Sequence, residues 1–119
     1  MGKSRSTKEL LADIVLWGER VGRFMEGVTK EQFARDDMRQ LAVSKCIEVI
    51  GEASGRILKQ DPSFADAHPE IGLIEAYRMR NRLSHGYETI DSSILWDTAT
   101  VYVPPLISFA RKQVAGESG

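Results

Sequence analysis

The sequence predicts an all-α protein, an up-and-down bundle of four to five helices. Apolar residues recur every three or four positions along most of the chain, which is the period of an amphipathic helix. Two capping boxes, Ser6 with Glu9 and Thr29 with Gln32, each mark a helix start. No segment of strand length alternates with a period of two. At 119 residues the chain has the length of a single domain, residues 1–119.

The first two helices follow the two capping boxes. Helix one is predicted over residues 7–26 and ends at Gly27, a residue typical of helix C-termini. A short second helix follows Thr29 and ends near Asp36 and Asp37, and Asp37 is expected to cap the next helix. The apolar stripe of helix one is Leu10, Ile14, Trp17, Val21 and Phe24.

The third helix is predicted to be the longest, since nothing breaks its pattern before Asp61-Pro62. Gly51, Ser54 and Gly55 within it lower helix propensity, by about 1 kcal/mol for each glycine. Close approach of another helix, in this chain or in a second copy, would offset that loss; a tolerated interior glycine is the alternative. Its predicted apolar positions are Met38, Ala42, Cys46, Val49, Ala53 and Ile57.

The second half of the chain predicts a connector and two further helices. Residues 62–72 indicate a connector, and a helix over about 69–85 begins at Pro69. His68 before it is expected to be a capping or surface residue. Asp91 or Ser92 caps a final helix, which Pro104-Pro105 must kink or interrupt before 106–114. Residues 1–6 and 115–119 are expected to fray.

Composition excludes several classes of function. With 42% hydrophobic and 28% charged residues the chain is typical of globular domains. The net charge of −1 and a pI near 6.1 give no global positive field, so any nucleic-acid contact must be local. No apolar run approaches 18 residues, and we expect a cytoplasmic protein without membrane contact. Cys46 has no partner for an intrachain disulfide and is expected to be a buried thiol.

Neither a metal nor a cofactor is expected. The chain has two histidines and one cysteine, without the spacing of a zinc motif or a glycine-rich phosphate loop. Glu48 and Glu52 lie one turn apart and could form a paired-carboxylate site. Solvated charges on a helix surface are the more common outcome, so no chemistry is assigned to them.

The stretch "RMRNRLSHGY", from Arg78 to Tyr87, concentrates hydrogen-bonding groups. On an ideal helix Arg78, Arg82 and His85 fall within about 60° of one another, and Arg80 and Tyr87 lie nearly opposite. Arg80 shares its side with the apolar residues Leu73, Ala76 and Leu83. A charged group on a packed face needs a partner or an interface.

Arg80 and His85 are separated by about 140° on a straight helix and would not converge on one ligand. Loosening of the helix near Ser84 to Gly86 would let His85 turn toward Arg80, with Tyr87 following. From the spacing alone, a salt-bridged surface helix with one snorkelling arginine stays open as the alternative.

The run "RNRLSHGY" resembles the Arg-x4-His-x-Tyr signature of HEPN-domain proteins, and its setting is similar to the HepT-like toxin family. "MRNRLSHGY" followed by "ID" and a Trp-containing last helix with a proline matches the usual run of that family. The likeness extends from helix one through "IEVIGEAS" to the last helix. The doubled Pro104-Pro105 departs from the single proline of the family.

The resemblance implies a HEPN-like bundle that forms a homodimer, with the motifs of both subunits facing one cleft. It further implies metal-independent cleavage of RNA and a minimal nucleotidyltransferase antitoxin as partner. Carried over, Arg80 and His85 are catalytic, Asn81 and Arg82 support them, and Tyr87 is where the partner attaches adenylate. The alternatives are a non-catalytic HEPN-type module, which partners a nucleotidyltransferase or binds a nucleotide, and a plain structural bundle.

Overall fold

The computed structural model describes residues 5–85 and 91–116, and all regular secondary structure in these two ranges is helical. A 3₁₀ helix, Pro69–Ile71, precedes α5, and a π-helical turn, Thr98–Tyr102, joins α6 to α7. The predicted all-α class is confirmed. The α-helices are α1 (Thr7–Met25), α2 (Lys30–Ala34), α3 (Asp37–Gln60), α4 (Pro62–Ala67), α5 (Leu73–His85), α6 (Ser92–Asp97) and α7 (Val103–Val114).

The long helix α3 lies at the centre of the bundle, packed against α1 and α5, and α7 packs on α1. α1 and α3 run antiparallel: Thr7 hydrogen-bonds to Asp61 at one end, and the Arg39 guanidinium donates to the Phe24 carbonyl near the other. Contacts between α3 and α5 show the same antiparallel arrangement. The predicted up-and-down topology is therefore confirmed.

The core forms where the apolar faces of these helices meet. Phe33 of α2 is fully buried, with its ring centroid 6.0 Å from that of Trp96. Cys46 is 2% exposed, so the predicted buried thiol is confirmed. The other fully buried large side chains include Leu10, Ile14, Val21, Val43, Ile47, Ile50 and Ile57. Burial of this apolar area is the main stabilisation of the bundle.

Both predicted capping boxes are present. Ser6 accepts from the Glu9 amide at 3.0 Å and the Glu9 carboxylate accepts from the Ser6 amide at 2.8 Å. Thr29 and Gln32 form the same reciprocal pair. The expected cap of α3 was wrong by one residue, since Asp36 accepts from the amide of Arg39 and Asp37 is the first helical residue.

The predicted apolar face of α3 was partly wrong. Met38 is 82% exposed, and Ala42 and Val49 are only half-buried. Because α3 packs against α1 on one side and α5 on another, its buried face is wider than one stripe and is rotated from the predicted one. The buried side chains of α3 are Val43, Cys46, Ile47, Ile50, Ala53, Ser54 and Ile57.

The connector contains more structure than predicted, and α5 begins later. Asp61 caps α4, which lies inside the predicted connector. Gly72 has a φ of 84°, a left-handed conformation that ends the 3₁₀ helix and stops it from continuing into α5. The helix with the motif therefore starts at Leu73, not at Pro69. His68 lies at the N-cap position of the 3₁₀ helix but makes no cap with its side chain, so a side-chain cap is absent. Its ring is 31% exposed and lies 4.9 Å from those of Phe64 and Phe109, so the predicted surface position holds in part.

The last helical segment is interrupted as predicted. The interruption is a π-helical turn, Thr98–Tyr102, which the sequence did not indicate. Asp91 accepts from the Ser93 amide at 2.8 Å and starts α6. Pro104 and Pro105 lie in the first turn of α7, directly after the π-helical turn. That wider turn, in which the Val103 amide donates to the Thr98 carbonyl, precedes the two residues that lack an N–H.

Candidate active site

Two glycines of α3 allow α5 to approach closely. A Cβ added to Gly51 would lie 2.2 Å from the Cβ of Arg80 and 2.5 Å from the Ala76 carbonyl oxygen. A Cβ added to Gly55 would lie 2.3 Å from the ring of Tyr77. No side chain fits at these distances, so the prediction that the small residues mark a close helix contact is confirmed, and the neighbouring helix belongs to the same chain.

Arg80 lies at this contact, on the packed side of α5 as predicted, and 30% of its side chain is exposed. Its Nη2 atom is 2.9 Å from Oε1 of Glu52, and its Nη1 atom donates to Oδ1 of Asn81 at 3.0 Å. The charged group on a packed face therefore has the partner that its position requires. Sequence reasoning had assigned no chemistry to Glu52.

The inner edge of the Arg80 guanidinium is closed to solvent. Its Nε atom is buried and has no hydrogen-bond partner among the described residues. Each η nitrogen carries two N–H groups; one on Nη1 donates to Asn81, and Nη2 forms an ion pair with Glu52. The donors that remain on the η nitrogens are the groups of Arg80 available to a phosphate oxygen.

A second polar contact between α3 and α5 lies one helical turn away. The Ser84 hydroxyl donates to Oε2 of Glu48 at 3.0 Å, and Lys45 lies 4.0 Å from the other oxygen of that carboxylate. Glu48 and Glu52 thus each face a polar group of α5, four positions apart on both helices. Both carboxylates are exposed to solvent, 36% and 43%, as expected, but each also contacts a polar group of α5 that the sequence did not indicate.

The remaining basic residues of the motif helix point elsewhere. Arg78 and Arg82 are exposed, whereas Asn81 is half-buried and accepts from Arg80. The predicted division of the motif into two faces is confirmed for these residues. α5 remains helical through His85, so the loosening that would turn His85 toward Arg80 is not seen at Ser84 or His85.

Part of the predicted site lies outside the described residues. These parts are the side chain of His85 and the whole of Gly86 and Tyr87. The convergence of Arg80, His85 and Tyr87 therefore remains a prediction. The site that the structure describes consists of Arg80 and Asn81 on α5 with Glu52 on α3.

The rest of the described chain offers no competing centre. A groove of about 540 Å³ between α1 and α7 contains none of the predicted site residues, and its lining includes Glu19 and Arg111, which form an ion pair at 2.8 Å. Within residues 5–85 and 91–116, no three side chains of His, Cys, Asp or Glu are grouped as metal ligands would be. No helix in the described ranges has the length and apolarity needed to span a membrane.

Comparisons with known proteins point to one family. Residues 18–113 match the family model described as Ribonuclease HepT-like, and this range includes all of α3 and α5. A protein of Thermococcus cleftensis named "Probable ribonuclease HepT" is 38% identical over 102 residues, covering 86% of this chain and 90% of that protein. A Methanocaldococcus jannaschii protein named as a "Putative RNase" is 31% identical over 102 residues, covering 86% and 85%. No solved structure matches the chain significantly.

Proposed function

The chain belongs to the HepT-like ribonuclease family, and from this premise we propose that it is a metal-independent endoribonuclease and the toxin of a toxin–antitoxin pair. The placement of Arg80 carries the proposal. This guanidinium is held against α3 by Glu52, with its Nε atom buried and 30% of the side chain exposed. A planar fork of this kind suits the oxygens of a phosphodiester.

Cleavage in this proposal uses the RNA's own 2′-hydroxyl. His85 of one subunit takes the 2′-hydroxyl proton, the 2′-oxygen attacks phosphorus, and the bond from phosphorus to the 5′-oxygen breaks. A second histidine returns a proton to that leaving oxygen, giving a 2′,3′-cyclic phosphate and a 5′-hydroxyl end. Arg80 stabilises the negative charge that builds on the phosphoryl oxygens, with Asn81 steadying it, and the exposed Arg82 holds the RNA backbone.

The need for two proton-transfer groups supports a homodimer. Each chain supplies one motif histidine, His85, and a two-fold dimer supplies a second to a shared cleft. The proposed partner that silences the toxin is a minimal nucleotidyltransferase. Adenylate attached to Tyr87 would introduce bulk and negative charge where the substrate phosphate must bind.

The activity is tested by incubating purified protein with RNA in EDTA. We expect wild type to yield fragments ending in cyclic phosphate, and Arg80→Ala and His85→Ala each to abolish cleavage. Arg78→Ala is the matched control, because it removes an exposed arginine from the same helix without touching α3. Cleavage that persists in the Arg80→Ala, His85→Ala double variant would exclude this site.

The adenylation is tested by intact mass after co-expression with a minimal nucleotidyltransferase. We expect the chain to gain the mass of one or more adenylates, and Tyr87→Phe to gain none. Adenylate on the Tyr87→Phe chain would place the modification elsewhere.

One observation favours a second function, a non-catalytic module that partners a nucleotidyltransferase or binds a nucleotide. The Arg80 guanidinium is already neutralised by Glu52, and the chain has no overall positive charge. Such a module would bind its ligand through Arg80 and leave RNA intact under the conditions above.

A further inference from the structure

We propose that Glu52 is a positioning residue for Arg80: its carboxylate fixes the direction in which the guanidinium presents its free donors to a phosphate. The effect on catalysis rests on the proposed ribonuclease function, whereas the contact itself does not. The inference adds a residue of α3 to a site that the sequence located only on α5.

Both ends of the Arg80 side chain are fixed by consecutive residues of α3. Gly51 receives the Cβ of Arg80 at a distance that no side chain at position 51 would permit. Glu52 binds the far end of the same side chain at Nη2, 2.9 Å away. An arginine held only by its backbone must lose most of its rotamer freedom to reach the geometry that the transition state needs, which raises the barrier to reaction. Arg80 has already lost that freedom in the free protein.

Glu52 also determines which donors stay free. Its carboxylate lies against Nη2 as an ion pair, Asn81 accepts from an N–H of Nη1, and the Nε edge is buried. A phosphate must then bind the remaining η donors on the exposed part of the fork. Without Glu52, the guanidinium is free to rotate about its long side chain and to present other edges, so binding continues while the productive geometry is lost.

The competing interpretation is that the pair only holds α5 against α3. The chain contains a similar pair for comparison: Arg111 and Glu19 join α7 to α1 at 2.8 Å, and the carboxylates of the two pairs are 41% and 43% exposed. Glu52 differs in that its Oε2 also accepts from Arg56 of the same helix, at 3.4 Å. Exposed ion pairs of this kind contribute little to stability. If both pairs serve only as links between helices, removing either carboxylate has the same effect on activity.

The kinetic test compares Glu52→Ala, Glu52→Gln and the control Glu19→Ala, using cleavage of a fluorescent RNA under saturating and sub-saturating conditions. We expect Glu52→Ala to lower kcat at least about tenfold with KM changed less than about threefold. Glu52→Gln retains an oxygen acceptor for Nη2 and should recover most of kcat. Glu19→Ala should leave both constants unchanged. Equal kcat in Glu52→Ala and Glu19→Ala would overturn the inference.

A second measurement observes Arg80 without RNA. In nitrogen-15 NMR spectra the Nε–H signal of Arg80 is identified by its loss in Arg80→Lys. We expect slow rotation of the guanidinium in wild type and in Glu19→Ala, and fast rotation in Glu52→Ala. Unchanged rotation in Glu52→Ala rejects the positioning role.

The two measurements separate the failure of the inference from the failure of the proposed function. If Glu52→Ala frees the guanidinium but wild type cuts no RNA, the contact stands and the ribonuclease proposal fails. If wild type cuts RNA through Arg80 and Glu52→Ala changes neither kcat nor rotation, the ribonuclease proposal stands and Glu52 has no positioning role.

Discussion

The absence of a Cβ atom at Gly51 allows α3 and α5 to approach closely. Gly51 and Gly22 are both interior helical glycines, yet their surroundings differ completely. An added Cβ at Gly51 meets backbone and side chain of α5 within 2.5 Å, whereas an added Cβ at Gly22 of α1 meets nothing within 4 Å. The same substitution therefore has opposite consequences at the two positions.

Gly51→Ala is expected to destabilise the protein and Gly22→Ala to stabilise it. Alanine gains about 1 kcal/mol of helix propensity at either position. At Gly51 the clash with Arg80 forces α5 outward, and overpacking of this kind costs about 1–3 kcal/mol, more than the gain. Urea unfolding followed by circular dichroism gives both free energies. A Gly51→Ala protein more stable than wild type would contradict the close contact.

Cys46 is expected to resist thiol reagents in the native protein. Its side chain is 2% exposed, and burial raises the pKa of the thiol, with Arg20 and Arg23 opposing that shift only in part. We expect labelling by a chromogenic disulfide to be at least about a hundredfold slower in native than in unfolded protein. A Met38→Cys, Cys46→Ala variant is the control, because position 38 is 82% exposed and should label at once. Rapid labelling of native wild type would contradict the burial of Cys46.

The sequence alone located Arg80 but not its partner. Its place among Leu73, Ala76 and Leu83 predicts a packed face by helical periodicity, a local property of α5. Glu52 could not be assigned in the same way, since a carboxylate one turn from Glu48 is the usual surface pattern of any helix. Only the register between α3 and α5 brings Glu52 to Arg80, and that register is set by contacts between residues far apart in sequence.

Helix starts were predictable where a capping box marks them. Ser6 and Thr29 each satisfy amides of the turn that follows, so α1 and α2 start where the capping boxes predict. The start of α5 was missed because Pro69 fits a first helical turn equally well in a 3₁₀ and an α-helix. The backbone of Gly72 decides between them, and its positive φ is not encoded by a pattern of apolar residues.

Asp61 links α1, α3 and α4 through its carboxylate, and the free energy of unfolding should therefore depend on pH. Its Oδ2 accepts from the Thr7 hydroxyl at 2.7 Å, and its Oδ1 accepts from the Phe64 amide that starts α4. The hydrogen bond from Thr7 is the main reason that the pKa of Asp61 lies below its ordinary value of 3.8. A lowered pKa in the folded state means that the stabilisation is complete above about pH 4 and is lost as pH falls through the folded pKa.

In Asp61→Asn the free energy of unfolding is therefore expected to fall less steeply as pH is lowered. The variant should be less stable than wild type at neutral pH, and the difference should shrink below pH 4 as the wild-type carboxylate takes up its proton. Urea unfolding at a series of pH values from 7 to 2 measures this. Asp66→Asn controls for loss of an exposed carboxylate from the same helix. A constant difference between wild type and Asp61→Asn at every pH would show that Asp61 does not titrate with folding.

At the scale of the whole molecule, the bundle was predictable and the completeness of the site was not. Helical periodicity and short connections suffice for an up-and-down arrangement around α3. The proposed cleavage of RNA needs one group to accept a proton and another to donate one. The sequence contains a single motif histidine, His85. The other histidine, His68, packs between the rings of Phe64 and Phe109, so the proposal takes the second proton-transfer group from a second chain.

That requirement is tested by mixing subunits. If each active cleft needs His85 from both chains, a hybrid of one wild-type and one His85→Ala subunit is inactive, since it lacks either the base or the acid. After exchange of subunits in an equal mixture, about a quarter of the dimers are wild type in both chains, so activity should fall to about a quarter of that of undiluted wild type. Independent subunits would retain about half. Analytical ultracentrifugation establishes that the mixture is dimeric, and capture of untagged wild-type chains on tagged His85→Ala chains in the expected proportion establishes that exchange is complete. Half of the activity in the His85→Ala mixture would place a complete catalytic site within one chain and remove the need for a shared cleft.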